Sequence, residues 1–279
     1  MHSRFDVANG HAVLAGETVG RGDPVVFLHA SICDRRMWRP QMAGIAASCQ
    51  AIAYDRRGFG DTRGQAEEHS AVADLMAVIE AAAGGKPVIL VGCSQGARIA
   101  LDAALLHSAS VRGLVLISPT VAGAPEAALP PALQALMAPL KAAEAARDID
   151  QVNRLKARLF LDGPLAAEGR VAGSVREQFL DMHGRALRAA PAGASQDNVA
   201  AYSRLPEFTA PALVMWGNLD FPHIQERARR VAQMLPQGEA YESVDAAHLP
   251  SLDHPAAVTE RLLAFIRRCP PGGASHAFS

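Results

Sequence analysis

The sequence predicts an α/β fold: a mostly parallel, twisted sheet covered by helices on both faces and interrupted by one long helical insertion. Three observations carry this. Short apolar runs rich in β-branched residues recur at 24–28, 50–54, 87–91, 112–117 and 211–216, and such runs suit strands buried on both faces. Stretches with helical patterning lie between them, and strand–helix alternation argues for parallel pairing with crossover helices. The alternation then stops between about 120 and 206, where the chain is rich in Ala, Leu, Arg and Glu and broken by Pro130-Pro131, Gly163-Pro164, Gly173 and Pro191. A block of that length without a strand reads as inserted helices rather than a loop.

Taken in order, residues 11–19 read as an early strand, and 24–28, bounded by Gly22 and Asp23, as the next. A helix over 37–47 leads to a strand at 50–54, and a helix over 70–83 to a strand at 87–91. The helix 95–107 precedes the strand 112–117. After the insertion come a strand at 211–216, a helix at 224–235, a strand at 239–244 and a helix at 255–268. This places a core at 1–119 and 207–268, with 120–206 inserted into it. The tail 269–279, Cys-Pro-Pro-Gly-Gly-Ala-Ser-His-Ala-Phe-Ser, is predicted to be disordered. No internal repeat is visible.

Composition narrows the function classes. At 279 residues, 49% hydrophobic and 20% charged, the chain is long enough for one large domain or two modest ones and is not a disordered sequence. Its 27 basic and 28 acidic residues leave a net charge of −1, without the basic excess of a nucleic-acid binder. No apolar run approaches the roughly 20 residues that cross a bilayer, and the N-terminus lacks the apolar core of a secretory signal. Cys33, Cys49, Cys93 and Cys269 show no C-x-x-C spacing, so free thiols in a reducing cytoplasm are expected. His223, His248 and His254 share one stretch, but no H-E-x-x-H or Cys/His pattern supports a metal, and no cofactor motif is present. The expected partner is a small-molecule substrate, with monomer and homodimer both open.

One motif carries chemistry. Gly92-Cys93-Ser94-Gln95-Gly96 is a G-x-S-x-G sequence that follows a predicted strand and opens a predicted helix. So tight a turn leaves no room for Cβ atoms at the glycines, and it lifts the serine hydroxyl above the sheet on a strained backbone. The helix start also places the Gln95 N–H where a developing oxyanion can use it. A serine hydroxyl needs a base to take its proton. Asp220 follows the strand 211–216 and His248 follows the strand 239–244, so nucleophile, acid and base come in the order Ser94, Asp220, His248. Taken alone, Asp220 reads equally well as a helix cap and His248 as a loop histidine; their joint placement at strand ends favours the triad. The first strand–helix loop, His29-Ala30-Ser31, supplies a second oxyanion donor, the Ser31 N–H.

Five segments together make the chain resemble the α/β-hydrolase superfamily over nearly its whole length. They are the elbow 92–96, Phe27-Leu28-His29-Ala30-Ser31 as an oxyanion loop, Tyr54-Asp55-Arg56-Arg57-Gly58-Phe59-Gly60 as the turn after the next strand, Leu213 to Asp220 as an acid loop, and Ala247-His248-Leu249-Pro250 as a histidine loop. The resemblance implies an α/β-hydrolase fold and makes the insertion at 120–206 a helical cap. It implies a serine hydrolase acting on a small carboxylic ester or lactone. A carbon–carbon bond hydrolase of the same fold, and a non-catalytic ligand receptor on a hydrolase scaffold, are the alternatives. Ala30 and Ala97 stand where the family usually has glycine, and a serine nucleophile argues against the haloalkane dehalogenase and epoxide hydrolase branches.

The remaining features have plainer readings. Arg35-Arg36 with Arg39, and Arg227 with Arg229-Arg230, read as solvated helix faces. Asp55 and Arg57 read as pins for their turn. Cys33 and Cys93 read as small buried thiols, and His223 and His254 as helix-end residues. Leu133, Met137, Phe160, Leu161, Phe179, Leu180 and Met182 read as the core of the insertion or the lining of a pocket beneath it.

Overall fold

The computed structural model describes residues 2–272. One sheet contains nine strands: β1 (His2–Asn9), β2 (Ala12–Gly20), β3 (Asp23–Leu28), β4 (Cys49–Tyr54), β5 (Arg63–Gly64), β6 (Val88–Cys93), β7 (Val111–Ile117), β8 (Ala212–Gly217) and β9 (Gly238–Ser243). Their spatial order is β1-β2-β4-β3-β6-β7-β8-β9, with β5 paired to β2. Pairings from β4 across to β9 are parallel, and those made by β2 are antiparallel. The helices are α1 (Arg39–Ile45), α2 (Ala71–Ala83), α3 (Gln95–Leu106), α4 (Pro131–Ala145), α5 (Ile149–Lys156), α6 (Gly173–Arg188), α7 (Ala201–Arg204), α8 (Pro222–Met234), α9 (Pro250–Asp253) and α10 (Pro255–Ile266).

The apolar runs are explained by burial on both faces. Val26, Leu28, Leu90, Leu114 and Val214 face a core shared with α2, α3 and α8. Their neighbours Val25, Phe27, Ile89, Val115 and Leu213 face the opposite core, shared with α1 and α10. Each such side chain contributes about 1.5–3 kcal/mol relative to exposure, so alternate residues of one strand stabilise both layers.

Two segments at the ends of the chain depart from the sequence reading. Strand β1 was not anticipated: only Val7 of it is buried, so it lacks an apolar run. It is held as an edge hairpin to β2, with Gly10 at φ +56° in the two-residue connection. The start of the tail is not loose. Cys269 is buried, Arg112 Nη1 donates to Pro270 O at 2.8 Å, and Gly272 N–H donates to Asp23 Oδ2 at 3.1 Å. These bonds dock 269–272 on the sheet; the rest of the tail expected to be disordered, 273–279, lies outside the described residues.

Between 120 and 206 the described chain is helical, with α4 to α7 and a π-helical turn at Ala157–Asp162; an isolated bridge joins Ser195 to His69. This block lies over the carboxyl ends of the parallel strands. Gln178 Nε2 donates to Arg36 O (3.1 Å), His248 N–H to Phe160 O (3.1 Å), and Arg170 Nη1 to Asp245 O (2.7 Å). Leu133, Leu140, Val152 and Leu159 form a small core of their own with Phe221 and Ile224, and Met137 packs against it. Leu161, Phe179 and Met182 instead join the sheet-side core beside Met37 and Trp38, with Leu180 packed against them.

Arg35 is a correction. Its sequence context reads as a solvated cluster, yet it is 3% exposed. Its guanidinium pairs with Asp55, with Asp61 at 2.7 Å and with Glu17 at 3.6 Å, and its N–H donates to Asp55 Oδ1 at 2.8 Å. Three carboxylates brought from distant positions compensate a charge that would otherwise stay in water. Asp55 also accepts from Asp61 N–H, while Arg57 pairs with Asp74 and Glu67, so both pin their turn as expected. Arg229 and Arg230 pair with Glu242 and Glu226 at the surface.

Candidate active site

The turn between β6 and α3 holds Ser94 at φ +53° and ψ −113°, a backbone that side-chain-bearing residues rarely adopt. The flanking glycines are there for space. A Cβ on Gly92 would lie 2.6 Å from Ala97 N, and one on Gly96 would lie 2.7 Å from His29 O and 2.6 Å from the Leu28 carbonyl carbon. The elbow is therefore packed backbone to backbone against the end of β3. Ser94 N–H donates to Ile117 O at 2.9 Å, which ties the turn to β7.

That close approach brings the loop after β3 beside the start of α3. His29 is fully buried. Its Nε2 accepts from Arg56 N–H at 3.1 Å, so Nδ1 carries the proton and donates to Ala30 O at 2.8 Å. Burial and the Arg56 guanidinium hold its pKa well below the usual histidine range, so the ring is a neutral brace for this loop. Ala30 does not occupy the positive-φ region, and its methyl group is accommodated where the resemblance has glycine. Among the described residues, neither Ser31 N–H nor Gln95 N–H donates a hydrogen bond.

The loops after β8 and β9 bring the other two predicted residues together. His248 Nδ1 donates to Asp220 Oδ2 at 2.7 Å, and Phe221 N–H donates to Asp220 Oδ1 at 2.8 Å. Both residues are buried. Gly217 makes this possible, because any side chain there would collide with the carbonyls of Ala246 and Ala247. The histidine loop reaches the elbow through Cys93, whose Sγ lies 3.8 Å from His248 O. Ser94 Oγ itself makes no hydrogen bond to His248 among the described residues; bonds of this kind commonly close only around substrate.

Phe160, grouped with other apolar residues in the sequence reading, has a specific place here. Its carbonyl accepts from His248 N–H, and its ring meets the imidazole edge-on at a 5.1 Å centroid distance. The π-helical turn that positions it leaves no sequence signature. Cys33 and Cys93 are buried, and burial pushes both thiols well above their ordinary range, away from nucleophilic chemistry. His223 sits at the start of α8 and His254 between α9 and α10. Among the described residues, no group of three or more His, Cys, Asp or Glu side chains is arranged to hold a metal, and no helix is long and apolar enough to cross a membrane.

A model of the alpha/beta hydrolase family matches residues 25–261. The chain belongs to that family. The hydrolase is 29% identical, over 90% of its length and 97% of the relative's, to a Mycobacterium tuberculosis protein named as a non-heme bromoperoxidase, BpoC. It is 27% identical, over 91% of its length and 99% of the relative's, to a pimeloyl-[acyl-carrier protein] methyl ester esterase of Xanthomonas oryzae. Among solved structures, the esterase RhEst1 of Rhodococcus superposes with a TM-score of 0.75 at 21% identity, covering 96% of this chain and all of that one. These likenesses give the hydrolase an α/β-hydrolase fold.

Proposed function

We propose that the hydrolase cleaves small carboxylic esters or lactones through an acyl-enzyme. Ser94 attacks the carbonyl while His248 Nε2 takes its proton, and Asp220 fixes the imidazole tautomer and stabilises its protonated form. The free N–H groups of Ser31 and Gln95 receive the tetrahedral oxyanion. His248 then returns the proton to the departing alcohol. Water, deprotonated by the same imidazole, releases the acid. The helical block 120–206 acts as a cap that excludes bulk water and shapes the substrate space.

The observation that carries this reading is the buried 2.7 Å bond from His248 Nδ1 to Asp220, which leaves Nε2 as the basic nitrogen. The strained backbone of Ser94 and two unpaired N–H groups beside it add weight. So does the Xanthomonas oryzae relative, named as a methyl ester esterase. Ser94→Ala is expected to abolish turnover of short p-nitrophenyl esters with an unchanged circular dichroism spectrum. Wild-type rates in that variant would remove Ser94 from the role.

A further inference from the structure

A cavity of about 310 Å³ opens beside the elbow. It is lined by α3 residues between Gln95 and Asp102, by Tyr54, Arg56 and Phe59, and by the carboxylates Asp74 and Asp197. Three of the lining residues carry a buried polar atom without a hydrogen-bond partner: Tyr54 Oη, Arg56 Nε and Asp102 Oδ1. Their residues are 0%, 7% and 1% exposed. Buried polar atoms are nearly always paired, so three orphans in the walls of one cavity single it out.

Arg56 gives the occupant its charge. Buried Arg35 faces three carboxylates and buried Arg57 faces two. Arg56 forms no ion pair among the described residues. Its Nη2 donates to His29 O at 3.1 Å, and its guanidinium lies 4.7 Å from the centre of the Phe59 ring. Burial without a counter-ion lowers its pKa to about 10, and an uncompensated buried cation is costly. Asp102 sits seven residues beyond Gln95 on α3, about 10 Å along the helix. Its carboxylate pairs with Arg98 at 3.7 Å, Asp74 pairs with Arg57, and Asp197 accepts from the Ser70 and Ser195 hydroxyls, so among the described residues Arg56 is the lining charge left without a partner. Gln95, the residue after Ser94, is the part of the elbow that lines this space.

We propose that this cavity is the acyl subsite and that Arg56 selects acyl chains ending in a carboxylate, so that half-esters of small dicarboxylic acids are the preferred substrate class. The inference rests on the esterase reading for its turnover arm and stands apart from it for its binding arm. With about 30 Å³ for each water displaced, the cavity has room for about ten water-sized groups, the number of heavy atoms in adipate.

The test compares p-nitrophenyl hydrogen adipate with p-nitrophenyl hexanoate, which differ by a carboxylate in place of a methyl group. The wild-type enzyme should favour the adipate ester in kcat/KM by tenfold or more, and Arg56→Met should erase that ratio. A ratio near one in the wild type, or one that survives Arg56→Met, overturns the proposal. The binding arm uses adipate itself: it should raise the wild-type Tm and inhibit hexanoate hydrolysis competitively, and should do neither in Arg56→Met. Absence of adipate binding to the wild-type protein would mean that the cavity holds only water, which also overturns it. Loss of turnover of both esters with adipate binding intact would count against the esterase reading and leave the carboxylate subsite supported.

Discussion

Gly96→Ala separates what the elbow needs as space from what it needs as conformation. Gly96 lies outside the positive-φ region, so an alanine there is strained only by its surroundings. Its Cβ would stand 2.6 Å from the Leu28 carbonyl carbon, where ordinary contact begins at 3.4 Å. Leu28 O would be closer still, so the start of α3 and the end of β3 must part by more than about 0.8 Å, and both are backbone. Overpacking of this kind costs about 1–3 kcal/mol, and the better helix propensity of alanine returns at most about 1 kcal/mol. A net loss of about 1–2 kcal/mol corresponds to a Tm lower by roughly 2–3 °C in a chain of this size. The same displacement moves Gln95 N–H away from Ser31 N–H, and a shift near 1 Å at reacting groups costs on the order of 100-fold in rate. Scanning calorimetry and ester kinetics read the two effects. Gly84→Ala is the control: Gly84 has φ +63° with nothing within 4 Å of a Cβ, so only backbone strain is added, far from the site. It should lower Tm with kcat/KM unchanged. A Gly96→Ala enzyme with wild-type stability and rate would refute the packing argument.

Asp220→Asn should lower kcat for p-nitrophenyl esters by about 10⁴-fold with little change in KM, because the amide no longer holds the imidazole in the useful tautomer; steady-state kinetics check this. Asp102 supplies a pH test. Burial pushes its carboxyl up to about 6 from the usual 3.8, against the opposing pull of Arg98. Its folded pKa thus lies above the unfolded one, so its ionisation destabilises the fold fully above pH 6 and not at all below 3.8. Asp102→Asn should raise Tm at pH 7.5, and that gain should disappear by pH 4 in a series of melts.

The parts of the candidate site that were legible in the sequence are those where chemistry dictates residue type. Gly92, Gly96 and Gly217 stand where backbones meet too closely for a side chain, and Ser94, Asp220 and His248 follow the carboxyl ends of β6, β8 and β9. Local signals also placed the parallel strands, because burial on both faces imposes apolar runs. What escaped depended on distant partners. Arg35 read as exposed because Glu17, Asp55 and Asp61, which bury it, are scattered along the chain. Strand β1 carries almost no buried side chain, and its only sequence signal was the Asn9-Gly10 turn. Phe160 reaches His248 through a π-helical turn with no compositional mark, and Arg56 stands apart from its neighbour Arg57 only by the counter-ions it lacks.

Reaction of the enzyme with a fluorophosphonate, followed by peptide mass mapping, tests the assigned chemistry most directly. One adduct per chain on Ser94, formed rapidly in the wild type and slowly in His248→Ala, is the predicted result. Ester hydrolysis by a protein that gains no adduct at Ser94, or gains it on another residue, would contradict the account.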